Sequence, residues 1–276
     1  MFSNMENLQE LKLEAHDVRR LIIEASYRAG KNCAHIGGSL SMVEILVSLY
    51  DIVKRDADNL DDRDRVIISK AHASLALYAV LVKKGLISEE EIMTFEQNGS
   101  HYTAHAKKNI AQGLEFSGGS LGLGFSYSVG IAKALKEKSS PAKVYTILGD
   151  GECNEGIIWE GLMFAKHNQL TNLTVIVDHN HLQADGKIEE IIDSSSLKEK
   201  FAAFGFYTQE VDGHSVEALI NALNNRKENL PNAIIAETIK GKGVSFMENK
   251  ANWHFSALSE NRYKKAIEEL EKEVVL

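Results

Sequence analysis

The chain has 276 residues, 44% of them hydrophobic and 25% charged, a balance that belongs to a globular protein with a large buried core. Its formal net charge of −8 argues against non-specific attraction to nucleic acid or to an anionic membrane. No apolar run reaches the length of a membrane span, and residues 1–14 lack the apolar core of a signal peptide. Two cysteines, Cys33 and Cys153, are too few for a disulfide scaffold and suit a reducing cytoplasm. Acidic neighbours of Cys153 are expected to raise its thiol pKa and leave it inert.

Residues 5–29 carry apolar side chains at helical spacing with charges between them, predicting a long amphipathic helix with Gly30 as C-cap. The loop Asn32-Cys33-Ala34-His35-Ile36-Gly37-Gly38-Ser39-Leu40-Ser41 then opens a helix running to Tyr50, with Ser39 or Ser41 as N-cap. After an acidic turn at 61–64, residues 65–69 read as a short strand, and 70–74 open a helix to Lys83. Ser88 and Glu91 make a capping box for a short helix, followed by a loop over 99–112 that holds His101 and His105. The run 117–124 is rich in glycine and leads into a helix over 125–136; glycine lets backbone approach a bound ring closely.

The centre of the chain is VYTILGDGECNEGIIWEGLMFAKHNQLTNLTVIVDHNHLQADG, residues 144–186. Residues 144–148 and 173–177 read as buried strands, and 157–168 as a helix between them, giving a strand–helix–parallel strand unit. One strand stops at Gly149-Asp150-Gly151, the other at Asp178-His179-Asn180. Adjacent parallel strands would bring both clusters to their carboxyl ends, where open α/β sheets bind ligands. A carboxylate, an amide oxygen and a nearby carbonyl there suit a hard dication, Mg²⁺ or Ca²⁺. Read by themselves, the same residues could be a tight turn and a polar loop. Beyond this unit a helix end over 201–206 precedes a strand over 207–211. Asp212-Gly213-His214 is then expected to cap a helix over 215–225, with His214 structural; a strand over 233–238 and a final helix over 258–275 complete the chain.

The Gly-Asp-Gly followed by Asn180 after an intervening 28 residues resembles the thiamine diphosphate signature, and other segments resemble transketolase in the family's order. His35 lies in a segment similar to GHPGGSLS, His72 in one similar to DRFVLSNGHGS, and His105 in one similar to SxxPGHPE, with Ala104, Ala106 and Lys107 departing from it. The 117–124 run resembles TTGPLGQG, and Trp253-His254 resembles a family stretch with a substrate-facing histidine. The resemblance implies an α/β fold, doubly wound, with a mainly parallel sheet and helices on both faces. It implies that Asp150, Asn180 and the Leu182 carbonyl hold the metal. Gly149, Gly151, Gly119, Leu121, His72 and His254 would line the thiamine diphosphate site, with His35, His105, His254 and Glu155 in catalytic roles. His179 stands where the family usually has Asn or Asp.

The match covers nearly all of residues 1–276 as one diphosphate-binding domain, with 251–276 as a C-terminal extension and no pyrimidine-binding or C-terminal domain. It therefore implies the N-terminal subunit of a split transketolase. A partner chain would carry the activating glutamate, in an expected α2β2 assembly, and the pair would pass a two-carbon ketol unit from a ketose to an aldehyde, the substrates being sugars or sugar phosphates. A related carboligase or synthase with another donor, a non-catalytic cofactor-binding protein and a nicotinamide-dependent dehydrogenase are the rivals. The 117–124 run lacks the strand and distal acidic residue of a dinucleotide fingerprint, which weighs against the dehydrogenase.

Overall fold

The structure, a computed structural model, describes residues 2–55, 60–193 and 195–273. The first part of the chain is helical: α1 (Phe2–Ala29), α2 (Ile36–Leu40) and α3 (Val43–Ile52). Strand β1 (Arg65–Ile68) follows, then α4 (Ser74–Lys83), α5 (Glu89–Ile92) and α6 (Leu123–Glu137). The central unit is β2 (Val144–Gly149), α7 (Gly156–His167) and β3 (Leu173–His179). Helices α8 (Ile188–Ile191) and α9 (Leu197–Ala203) lead to β4 (Tyr207–Asp212), α10 (Val216–Asn224), β5 (Asn232–Glu237) and α11 (Glu260–Glu273). The predicted end of the last helix at Val275 lies outside the described residues.

Among the described residues the strands form one sheet in the order β1-β2-β3-β5-β4, with every pairing parallel. Alternating side chains split the core in two, as the period of a strand requires. Val66, Ile68, Tyr145, Ile147, Ile176, Ile234 and Ala236 face one side, where α1, α3, α4 and α10 supply the rest of the apolar packing. Ile67, Val144, Leu148, Val175, Val177, Ala233 and Ile235 face the other, against α6, α7 and α9. Both faces of the sheet are therefore covered, which explains why β1, β2, β3 and β5 read as apolar runs, whereas the edge strand β4 (YTQEVD) is only partly buried. Helix α11 lies against α1, with Tyr27 and Tyr263 stacked at 4.4 Å and Leu258, Ala266 and Leu270 buried in the first core.

Two predicted caps differ from those observed. The helix expected from the Ser39–Ser41 region breaks into α2 and α3, and neither serine caps it. Ser39 Oγ instead donates to the His35 carbonyl at 2.8 Å, and Ser41 Oγ to Asp178 at 2.6 Å. A buried carboxylate far along the chain outcompetes the local cap. At α10 the cap is Ser215, whose hydroxyl accepts from Ala218 N at 3.2 Å. His214 is structural as expected, lying 2.9 Å from Glu44 and accepting at Nε2 from Ile239 N at 2.8 Å. The capping box of Ser88 and Glu91 is present at α5.

Candidate active site

Parallel pairing of β2 with β3, in register from Val144↔Leu173 to Gly149↔Asp178, puts the two polar clusters side by side at the carboxyl ends of the strands. They border a cavity of about 280 Å³ lined by residues from several elements, among them Gly38, His72, Gly119, Leu121, Gly149, Asp150, Asn180, Leu182 and His254. A Cβ built on Gly38, Gly119 or Gly149 would meet no atom nearer than 3.6 Å, so the absent side chains leave room in this cavity rather than relieve a clash. A larger recess of about 930 Å³, near the start of β1, contains none of the predicted site residues.

The oxygen set is held from behind. Asp150 Oδ2 accepts from His181 N at 2.6 Å and Oδ1 from Gly151 N at 2.7 Å; Asn180 Oδ1 accepts from Leu182 N at 3.2 Å. Each of these oxygens has a further lone pair for a cation. Burial raises the pKa of Asp150, and the neighbouring Asp178 carboxylate adds to the shift. A dication bound there would relieve both effects.

Two buried lysines that the sequence does not single out complete the site. Lys70 pairs with Asp178 and donates to Gly38 O at 3.0 Å. Burial disfavours the charge on Asp178, yet Lys70, Ser41 and Thr238 outweigh it and keep the pKa below the ordinary aspartate value. Lys240 Nζ bridges the carbonyls of Leu182 at 3.1 Å and Gln183 at 3.0 Å and lies 3.1 Å from His254 Nδ1. Burial and the charge of Lys70 bring its pKa down to about 8.

Four of the predicted histidines gather at one wall. The ring of His35 lies 5.2 Å from His72, 5.9 Å from His105 and 5.3 Å from His254, and His72 lies 5.0 Å from His254. Burial lowers the pKa of His35 to about 4, helped by His105, Lys240 and Lys70, and that of His254 to about 3, helped by Lys240. His72 is pushed well below its usual value by burial and Lys70. These three rings are neutral at pH 7 and can donate or accept hydrogen bonds without adding charge. His35 Nδ1 and Gln183 Nε2 are among the buried side-chain atoms that have no hydrogen-bond partner among the described residues.

His105 is exposed at the rim, and Glu155 is exposed at the N-terminus of α7, outside the cavity lining. His101 borders a separate recess. Glu152, likewise not singled out by the sequence, is 2% exposed and organises the glycine loop: its carboxylate accepts from Ser69 Oγ at 2.5 Å, Gly122 N at 2.7 Å and Gly149 N at 3.1 Å. Cys153 is buried, and burial followed by Glu152 and Asp150 drives its pKa well above the usual thiol value, as expected.

The family model for the transketolase thiamine diphosphate-binding domain matches residues 12–273. The chain belongs to the transketolase family. It is 39% identical to the 6-deoxy-6-sulfo-D-fructose transketolase subunit SqwG of a Clostridium species, over 96% of this chain and 97% of that one. It is 35% identical to one of the subunits of the apulose-4-phosphate transketolase of Phocaeicola vulgatus, over 97% of this chain and 96% of that one. Transketolase from Campylobacter jejuni superposes with a TM-score of 0.87 at 31% identity, covering 95% of this chain and 43% of that one. The chain thus spans nearly the full length of the subunit-type relatives and less than half of the single-chain enzyme. The parallel sheet, the cofactor-binding class of the domain and the split-transketolase resemblance all agree with the sequence reading.

Proposed function

We propose that this chain is the thiamine diphosphate-binding subunit of a two-component transketolase, which with a partner chain transfers a two-carbon ketol unit from a ketose to an aldehyde. The observation that carries the reading is the meeting of Asp150, Asn180 and Leu182 with His72 and His254 in the lining of one cavity, the ring of His35 lying against both histidines. The three oxygens would hold Mg²⁺ or Ca²⁺, which takes oxygen ligands and leaves positions for phosphate and water. With Lys70 committed to Asp178, Lys240 is the ammonium left to meet the diphosphate once a cation takes over the Leu182 carbonyl. Gly119, Leu121, Gly149 and Gly151 would form the cradle, and His72 and His254 its polar contacts.

Thiamine diphosphate supplies the carbanion stabilisation that the reaction requires. This chain's own work is to bind, orient and exclude water. His35 and His254, neutral because of burial, would hydrogen-bond donor hydroxyls and pass protons at their ring nitrogens. His105 would reach the substrate from the rim, and Glu155, on the surface of α7, would act across the subunit boundary. The partner would bring the pyrimidine-binding domain and the activating glutamate. Exposed Leu123, Met163 and Phe164 on α6 and α7 give it apolar surface to cover, and two of each chain is the assembly proposed. The two subunit-type relatives act, by name, on sugars bearing a terminal sulfonate or phosphate. The names favour a donor or acceptor with an anionic terminus over an unsubstituted sugar, and the altered surroundings of His105 favour one other than an ordinary ketose phosphate. A cytoplasmic location accords with the free thiols of Cys33 and Cys153, and no helix among the described residues is long and apolar enough to cross a membrane.

Purification of the native chain from its source, followed by identification of what accompanies it, tests the proposal. A similar-sized chain should co-purify, and the pair should transfer a labelled two-carbon unit only when thiamine diphosphate and a divalent metal are present. Recovery of the chain alone, or a pair inactive on every anionic sugar donor tried, would favour the non-catalytic reading.

A further inference from the structure

A second cluster lies on the outer side of the same strand ends. His179 closes β3 and pairs in register with Glu237, the last residue of β5. Two residues on, His181 adopts a left-handed backbone with φ of +62°, uncommon for a residue with a Cβ, and its ring comes back to lie 4.0 Å from that of His179. Both rings meet one carboxylate: His179 Nδ1 is 2.6 Å from Glu237 Oε1, and His181 Nε2 is 2.8 Å from Glu237 Oε2. The backbone of each residue is fixed separately. Thr238 N donates to His179 O at 3.0 Å, Ile188 N to His181 O at 3.0 Å, and Gly213 N to Glu237 O at 2.8 Å.

We propose that His179, His181 and Glu237 form a site for a transition-metal dication of the Zn²⁺ class, distinct from the oxygen set of Asp150, Asn180 and Leu182. Two imidazoles beside a carboxylate are a ligand set that Zn²⁺ takes, and it is the imidazole nitrogens that Mg²⁺ and Ca²⁺, which seek oxygen, avoid. The three ligand atoms lie within 4.8 Å of one another. Tetrahedral zinc, with bonds of about 2.0–2.2 Å, sets its ligand atoms roughly 3.3–3.5 Å apart, so the ion enters where the two hydrogen bonds run, each neutral imidazole keeping its proton on the ring nitrogen that faces away and the side chains spreading slightly. The His181 side chain is 55% exposed and that of His179 13%, so one ligand faces solvent while another anchors the site, and water can complete the shell. The ion would also hold the left-handed turn whose His181 N–H supports Asp150, coupling the two sites through a single residue.

Isothermal titration of the full chain with Zn²⁺, in excess Mg²⁺ to saturate hard-oxygen sites, tests this. The expected result is one Zn²⁺ per chain. Affinity should fall on His181→Ala, and on Glu237→Gln, by more than the roughly 10–100-fold cost of losing an outer-shell partner. His254→Ala, which touches none of the three ligands, should keep the site. The exposure of His181 makes its removal compatible with folding, and circular dichroism of the variant checks this. No stoichiometric Zn²⁺ binding, binding unchanged by His181→Ala, or binding lost with His254→Ala would overturn the proposal.

Discussion

Lys70 and Asp178 form an ion pair at the base of the cavity, with 2% and 0% of their side chains exposed. Lys70→Met keeps the length of the side chain but removes the ammonium. It leaves Asp178 with neutral donors only: Ser41 Oγ at 2.6 Å, Asn180 Nδ2 at 3.3 Å and the Thr238 hydroxyl. Breaking a buried pair from one side costs about 3–5 kcal/mol, because the remaining charge stays desolvated. Against a typical net stability of about 5–15 kcal/mol that is a large share. At about 2–4 °C per kcal/mol, the melting temperature should fall by roughly 6–20 °C. Asp178→Asn alone strands the ammonium and should cost a similar amount. The double variant Lys70→Met/Asp178→Asn should lose less than the sum of the two, with a coupling at the upper end of the roughly 0.5–3 kcal/mol seen for contacting residues. Urea unfolding of the four proteins at one pH measures this cycle. A Lys70→Met protein within about 1 kcal/mol of wild type, below the usual cost of stranding a buried charge, would refute the reasoning, as would strict additivity.

Other consequences follow from the same geometry. Glu152→Gln replaces one of the two accepting oxygens by an NH₂ that opposes the N–H of either Gly122 or Gly149, so it should cost about 1–3 kcal/mol in urea unfolding and loosen the glycine loop. Gly124→Ala would set a Cβ 2.6 Å from Ser69 Cα and should cost about 1–3 kcal/mol, whereas Gly130→Ala, with open space in the same helix, should gain about 0.5–1 kcal/mol. Equal effects at the two glycines would contradict the packing. For the ligand-free chain the pH dependence has a definite sign. The folded-state pKa of His35 is lowered from 6.5 to about 4 and that of His254 from 6.5 to about 3. Above the unfolded value both states are neutral and there is no penalty. As pH falls through that value toward the folded ones, the unfolded chain takes up protons that the folded chain refuses, and stability drops. The slope is at most about 1.4 kcal/mol per pH unit per histidine, less for rings in part contact with water. Unfolding midpoints from neutral to acid pH should therefore fall more gently in a His35→Asn/His254→Asn variant, and an unchanged slope would sink this assignment.

Strands β1, β2, β3 and β5 are legible in the sequence because their apolar, β-branched runs are nearly continuous, and β2 and β3 are neighbours in both sequence and sheet. That adjacency also makes Asp150 and Asn180 legible, since each directly follows or closely follows a strand end. The lysines are not. A lysine in a polar loop normally reads as solvated, and only the fold shows Lys70 and Lys240 at 2% exposure. Their one sequence signal is position, each lying just past the end of a strand, β1 and β5. Ser41 reads as a cap because its true partner, Asp178, lies 137 residues away. Glu152 looks like another acidic residue at a helix start, where negative charge is favoured in any case. The pairing of His179 with Glu237 depends on β5 inserting between β3 and β4, an order that local pattern does not encode. Ser215, by contrast, is readable as an N-cap from its place directly before the apolar spacing of α10.

The central claim is that the ends of β2 and β3 bind thiamine diphosphate through a divalent metal held by Asp150, Asn180 and the Leu182 carbonyl. Calorimetric titration of the chain with thiamine diphosphate, in Mg²⁺ and then in excess chelator, tests it most directly, with Asp150→Ala alongside. The account predicts saturable binding of one cofactor per chain that needs Mg²⁺ and is lost in the variant. Equal binding in chelator, undiminished binding by Asp150→Ala, or no binding by the wild-type chain would contradict it.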